Sequence, residues 1–367
     1  MFTFLPSALY RALCVTTVAC FLLIPHALHA SAMGTLSAAE EPVTANDPPE
    51  SDIQPPQFSG QIFANYHWNT TNTGATENFN SFALKRWYST VKAGLSEQLN
   101  FRGTTDVKHS DTGYSLIIKY AYLDWEITPG ITLRGGIQQT GWQNYVNRVW
   151  GYRGIAKTMA QYQGHLSMAD LGATVAATLP GQRGEVALGV LSGNGYRAVE
   201  ANQFKDAVGR VRLTPFKSTG SAWAPLEVGG HAYLGSYTDG SDRHRWGGLV
   251  AYNGDALTLA LNYDARKDGA VTAQGLSGFG TLRLGRVSGA GAFSLVGLVD
   301  VYSIDTSNGT DGQRVRSVTG LAYAPTNGVA VSLDYQHNWA NESIYSRHDG
   351  VSTDADGSLF VHLIVTY

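Results

Sequence analysis

Between Gln143 and His165 the chain carries Arg148, Arg153, Lys157 and His165, and no Asp or Glu. Basic side chains without an acid among them do not make a general acid–base pair; they make a positive field. Where such a cluster borders a water-filled passage with low-dielectric walls, it concentrates anions and repels cations. Arginine adds a planar fork that fits the oxygens of carboxylate or phosphate. Further bases fall on the polar faces of alternating segments: Arg86, Lys92, Arg102, Lys108, Arg134, Arg210 and Arg212. Asp106, Asp124, Glu126 and Glu227 share those faces and partly offset them. Two plainer readings stand beside this one. The 143–165 segment is then an outward loop with ordinary surface charge, and the alternating charges form a wall network that selects little.

Histidines offer a different chemistry. His67, His109, His231, His337, His348 and His362 could each neighbour a Ser or Asp across strands, as in membrane-barrel hydrolases. No nucleophile elbow or zinc motif accompanies them, so neither an enzyme nor a cofactor or metal is expected. Trp142, Tyr145, Trp150 and Tyr152 could form a stacking slide for sugars, although the bases around them suit a neutral sugar poorly.

The elements that must position these residues are strands. From Gln57 onward, period-two segments recur with turn signals between them. The first is the clearest: Phe58, Ile62, Ala64, Tyr66 and Trp68 share one face, and Gln57, Ser59, Gln61, Asn65 and His67 the other. Fifteen more are expected near 81–94, 99–108, 116–128, 131–142, 167–179, 183–193, 205–214, 226–238, 244–253, 256–266, 276–286, 293–303, 314–324, 329–339 and 358–367. An even count suits a single-chain bacterial barrel.

Alternate connections are short and rich in Pro or Gly, such as Thr128-Pro129-Gly130, Pro180-Gly181, Asn253-Gly254-Asp255 and Pro325-Thr326-Asn327-Gly328. Those between them are longer and polar, at 69–80, 143–166, 194–204, 304–313 and 340–357. That parity is the signature of a membrane barrel with short turns at one end and loops at the other. The segment 215–225 breaks it. On 116–128 the apolar face is Ile117, Ala121, Leu123, Trp125 and Ile127, opposite Tyr120, Tyr122, Asp124 and Glu126. On 329–339 Val329, Val331, Leu333 and Tyr335 oppose Ser332, Asp334, Gln336 and Asn338.

The last segment places Leu359, Val361, Leu363, Val365 and Tyr367 outward. It is expected to close the barrel against 57–69, with Tyr367 at the periplasmic rim. Aromatic residues gather near strand ends, at Tyr66 and Trp68, Trp87 and Tyr88, Trp125, Trp142, Tyr252, Tyr323, Trp339 and Tyr367, where headgroups would lie. The fold class is therefore all-β: a transmembrane antiparallel up-and-down barrel of about sixteen strands. An inward-folded third loop is expected with it, since Tyr145, Val146, Val149, Trp150, Tyr152 and Ile155 would let that loop pack against the wall.

Residues 1–30 read as a secretory signal: Arg11, then an almost unbroken apolar run from Ala12 to Ile24, then Pro25 and small residues suited to cleavage. Residues 31–56 are Pro-rich and acidic and read as a disordered periplasmic lead-in, with the barrel domain at 57–367. They are too short for the plug of an energy-coupled transporter. Both cysteines, Cys14 and Cys20, fall within the signal, so closure must come from hydrogen bonds and burial. The formal charge of -3 misleads about the barrel: 1–56 holds one base and five acids, leaving 25 bases and 24 acids from 57 onward. Any selectivity must come from where charges sit.

Several short motifs resemble the phosphate-selective porin O and P family: Phe82-Ala83-Leu84-Lys85-Arg86-Trp87, Tyr120-Ala121-Tyr122-Leu123, Pro129 to Gly136, Asp170-Leu171-Gly172, Gly193-Asn194-Gly195 and Lys205-Asp206-Ala207-Val208-Gly209-Arg210. The resemblance covers the first half of the chain. It implies a sixteen-stranded homotrimer of the bacterial outer membrane that passes small anions, phosphate among them, through an arginine-lined constriction narrowed by the third loop. Lys85-Arg86 is similar to the family's paired bases on the second strand, with Lys in place of one Arg, and Asp106 to its aspartate on the third. The dense arginine ladder of phosphate-specific members is not evident.

On this reading the constriction residues are Arg86, Lys92, Arg102, Arg134, Arg148, Arg153, Lys157, Arg210 and Arg212. The expected partners are outer-membrane lipid, small anions, two further copies of the chain and the barrel-assembly machinery, with no nucleic acid. A general or sugar-specific porin without anion preference is the alternative.

Overall fold

The computed structural model describes residues 55–71, 79–110, 113–200, 202–217, 219–286, 291–305, 312–341 and 356–367. The expected signal, and all of the lead-in but its last two residues, lie outside that set. Sixteen strands follow in chain order: β1 (Gln57–Asn69), β2 (Asn80–Gly94), β3 (Leu99–Ser110), β4 (Gly113–Thr128), β5 (Ile131–Gln139), β6 (Ala169–Thr178), β7 (Gly184–Leu191) and β8 (Asp206–Leu213). The second half comprises β9 (Leu226–Ser236), β10 (Asp242–Asn253), β11 (Leu257–Asp268), β12 (Val271–Arg286), β13 (Ala292–Asp305), β14 (Gly312–Thr326), β15 (Val329–Asn341) and β16 (Asp356–Thr366). Each pairs antiparallel with its sequence neighbours, and β1 pairs with β16, so the sheet closes. Closure leaves no unpaired edge, the condition a sheet must meet in hydrocarbon. Among the described residues no helix is long and apolar enough to cross a membrane.

The outer face is apolar, as the period-two pattern requires. Phe58, Phe82, Leu116, Leu123, Leu188, Leu261, Leu333 and Leu363 all stand exposed there. In water such a surface would aggregate; in a bilayer it is the lipid belt. At the closing seam Ile62 faces Val365, and Trp68 faces Leu359. Tyr367 exchanges backbone hydrogen bonds with Gly60, and Trp87 Nε1 donates to its hydroxyl at 2.9 Å.

Three expectations need correction. The outward assignment of Ile117 fails because Lys119 is an extra residue in β4: Thr104 pairs with Tyr120 and Thr105 with Ile118. This bulge shifts the phase, so Ile118 faces out, and Ile117 falls opposite inward-facing Asp106. The fifth strand stops at Gln139 rather than 142, giving way to helix α1 (Gly141–Trp150), so Trp142, like Tyr88 on β2, is buried inside the barrel and not in a headgroup belt. Finally, loops at the long-loop end are not uniformly long, since only residues 111–112 and 269–270 separate β3 from β4 and β11 from β12.

Candidate functional site

The segment between β5 and β6 folds into the barrel. Trp142, Tyr145, Val146 and Val149 recur at helical spacing, giving α1 one apolar side, and Gly151 ends the helix at φ 73°. That side meets an apolar patch on the inner wall. Trp142, Tyr145, Val146, Val149, Trp150, Tyr152 and Ile155 form one buried cluster with Leu249, Phe279, Val296, Leu298 and Val318. Two wall glycines serve as sockets: a Cβ at Gly229 would stand 2.7 Å from Tyr145, and one at Gly275 would overlap the Met159 sulfur. Beyond the helix, Gly154 reaches the closing seam, where a Cβ would stand 2.6 Å from Ile364 and 3.2 Å from Phe63. A short helix, α2 (Met159–Tyr162), leads the chain back.

The loop thus covers the inner face of β9–β15 and leaves β2–β8 as the wall of the remaining passage. Behind the loop the wall buries both acids and bases, Arg245 and Arg316 among the latter. Asp264, Asp300 and Asp334 are each at most 2% exposed. Trp142 Nε1 donates to Asp264 Oδ1 at 3.1 Å, and His231 Nε2 lies 2.9 Å from the same oxygen. His362 Nε2 lies 3.1 Å from Asp334. In the loop itself, burial, and then Arg266, Arg245 and His231, hold the His165 imidazole well below its ordinary range, so it is neutral. Its Nε2 lies 2.9 Å from the Tyr302 hydroxyl, and its carbonyl accepts from Arg245 Nε at 2.7 Å. Burial, followed by Glu227, pushes the Tyr145 phenol up, and burial does the same at Tyr152, so both stay protonated.

The uncovered wall is basic. Of the nine constriction residues expected from the sequence, five are tied to carboxylates. Arg86 Nη1 donates to Asp106 at 2.8 Å, and Arg134 grips Asp124 with two nitrogens at 2.6 and 2.9 Å. Arg148 pairs with Glu227 at 2.9 Å, Arg210 pairs with Glu185, and Arg212 stands 4.0 Å from Glu227. Among the described residues no carboxylate pairs with Lys92, Arg102 or Arg153. Lys92 is exposed at the turn end of β2, opposite Gln57 and Arg102. Lys157 is an exposed residue at the loop tip.

Arg102 and Arg153 rest on aromatic rings. Arg102 lies 4.9 Å from the Tyr120 centroid and Arg153 5.6 Å from that of Tyr88, whose hydroxyl accepts from Arg153 Nη1 at 2.9 Å. Arg153 therefore bridges the loop to β2.

One residue of this group escaped the sequence reading. Lys119, turned inward by the β4 bulge, is only 6% exposed, with Nζ 3.8 Å from the Tyr88 centroid and 5.0 Å from that of Tyr120. It stands within electrostatic range of Arg86, Arg102, Arg153 and the single acid Asp106. A signal was present in Ile117-Ile118, two successive apolar residues where alternation should have continued.

The arrangement suits charge selection better than catalysis. The His231–Asp264 and His362–Asp334 pairs are all but inaccessible behind the loop. His67 lies 2.9 Å from Ser358, but that serine is buried and the ring is stacked on Phe360. The sugar slide fails for the same reason, since Trp142, Tyr145, Trp150 and Tyr152 are packed against the wall.

A closed sixteen-stranded barrel with an inward third loop and a polar, charged lumen defines an outer-membrane barrel of the porin type. Solved structures agree on that fold. The chain is similar to the anion-selective porin from Comamonas acidovorans, with a TM-score of 0.62 and 11% identity over 85% of this chain and 99% of that one. Salmonella typhi OmpF gives a TM-score of 0.61 at 12% identity, covering 85% of this chain and 97% of the other. OmpT, an outer membrane protein of Vibrio cholerae, gives 0.60 at 14% identity in a loop-deletion mutant, covering 85% and 99%. No family model matches the chain, and no curated protein does.

Proposed function

We propose that the protein is an outer-membrane porin, a passive water-filled channel that favours small anions. The observation that carries this reading is the seating of Arg102 and Arg153 on tyrosine faces instead of carboxylates. A ring face steadies a cation by about 0.5–2 kcal/mol without neutralising it. Cations held that way keep their field, and low-dielectric walls focus it on the passage. The paired residues Arg86, Arg134, Arg148, Arg210 and Arg212 contribute less, because Asp106, Asp124, Glu185 and Glu227 offset them, the last shared by Arg148 and Arg212.

The same pairing bears on phosphate. A phosphate-specific channel needs a run of unoccupied guanidinium forks, whereas these forks are largely filled by the protein's own acids. We infer a general anion preference, with phosphate as one permeant anion and not the sole substrate. Outer-membrane lipid, a homotrimeric assembly and insertion by the barrel-assembly machinery belong to the same proposal.

Reconstitution into planar bilayers tests it. Stepwise channels are expected that favour chloride over potassium in a KCl gradient and also carry phosphate current. Channels that pass cations preferentially, or no channels from a folded barrel, would overturn the reading.

A further inference from the structure

Three successive carbonyls at the tip of the inward loop are each met by a side chain. Ile155 O accepts from Gln336 Nε2 at 3.3 Å, Ala156 O from Trp150 Nε1 at 2.9 Å, and Lys157 O from Arg316 Nη2 at 2.7 Å. Residues 156–158 belong to no helix or strand, so these groups have no ladder to satisfy them. Side chains take the ladder's place.

Arg316 on β14 is the centre of this arrangement. It is 2% exposed, and its Nε and Nη2 both donate to Asp300 Oδ2, at 2.9 and 2.5 Å. Asp300 is 1% exposed, and its other oxygen accepts from Ser277 at 2.5 Å. The guanidinium also lies 4.0 Å from the centroid of Tyr162. One buried group therefore grips the loop on its outgoing limb at residue 157 and on its returning limb at residue 162. Arg316 faces the back of the loop and its charge is met by Asp300, so it adds little field to the passage.

We propose that Arg316, clamped by Asp300, is a positioning residue for the constriction. By fixing the Lys157 carbonyl and the Tyr162 ring, it sets where Arg153 stands against Tyr88 on β2. The inference rests on the channel reading and extends it: selectivity depends on a residue that touches no permeant ion.

The test is the double variant Arg316→Gln with Asp300→Asn, which removes the clamp without changing net charge. Unitary conductance is expected to rise by about 1.5-fold or more as the loop leaves the passage. Open-channel noise should increase, and the reversal potential in a KCl gradient should move toward zero. Arg316→Lys keeps a donor but loses the fork, and an intermediate effect is expected.

If the double variant yields no folded barrel, Gly275→Leu displaces Met159 from its socket with no change of charge. It should shift conductance and noise in the same direction. Wild-type conductance, noise and reversal potential in a folded variant would overturn the positioning role. An unselective wild type with a conductance rise in the variant would instead overturn the selectivity reading and leave the positioning role standing.

Discussion

The two halves of the barrel wall hold their charges differently. On β9–β15 the inward acids Asp264, Asp300 and Asp334 are sealed beneath the loop, each with a hydrogen-bond partner, and Arg245 and Arg316 are buried with them. On β2–β5 the inward bases line the passage, and Arg102 sits on a tyrosine ring with no carboxylate paired to it. A barrel body with nearly equal numbers of acids and bases can therefore present a positive passage, because the loop hides these three acids against two arginines. What a permeating ion meets is set by packing as much as by composition.

The largest break of this contrast is expected from reversing the loop's own charge. Arg148→Glu with Arg153→Glu and Lys157→Glu should turn the channel cation-selective, read as a change of sign in the KCl reversal potential. Each charge a few ångströms from the ion path acts with about 1–3 kcal/mol at effective dielectric constants of about 20–80. An unchanged sign would mean that the loop does not border the passage.

How far the sequence shows this contrast depends on the element. Strand number, closure of 57–69 on 358–367 and the inward charge of Arg86, Arg134 and Arg210 follow from period-two alternation, which a closed sheet obeys almost everywhere. The inward fold of the loop is expected from the sequence, and the wall it docks on is legible too. On β13, Val296 and Leu298 face inward while Leu295 and Val299 face out, so this strand is apolar on both faces. A strand bordering water on one side has no reason to be. Lys119 was missed because one inserted residue, marked only by the successive apolar pair Ile117-Ile118, reversed the parity of everything before it in β4. The sorting of arginines into those paired with carboxylates and those without one was equally hidden, since it depends on cross-strand register and not on spacing along the chain.

A smaller effect should follow from acidification. His165 is held neutral by burial among Arg245, Arg266 and Tyr302, whereas an exposed histidine in the unfolded loop takes up a proton near pH 6.5. The unfolded form thus binds more protons, so the hold on the loop is complete above that pH and is lost progressively below it. Lowering the pH from 7 to 5 should raise open-channel noise, and His165→Gln, which cannot be protonated, should flatten that dependence. A wild-type channel as quiet at pH 5 as at pH 7 would show that His165 does not hold the loop.

The smallest effect is expected from Arg134→Gln with Asp124→Asn, which removes a matched pair and leaves the net charge of the lumen unchanged. The reversal potential should shift only slightly, sharpening the distinction between bases paired with carboxylates and bases without one. A shift as large as that of Arg102→Gln would erase the distinction.

The most direct measurement compares reversal potentials of the wild type and the Arg102→Gln, Arg153→Gln double variant in one KCl gradient. The expected result is a wild type that favours chloride and a double variant near zero selectivity, with the carboxylate-paired arginines intact in both. A wild type that favours potassium, or a double variant as chloride-selective as its parent, would contradict the assignment of selectivity to the uncovered wall.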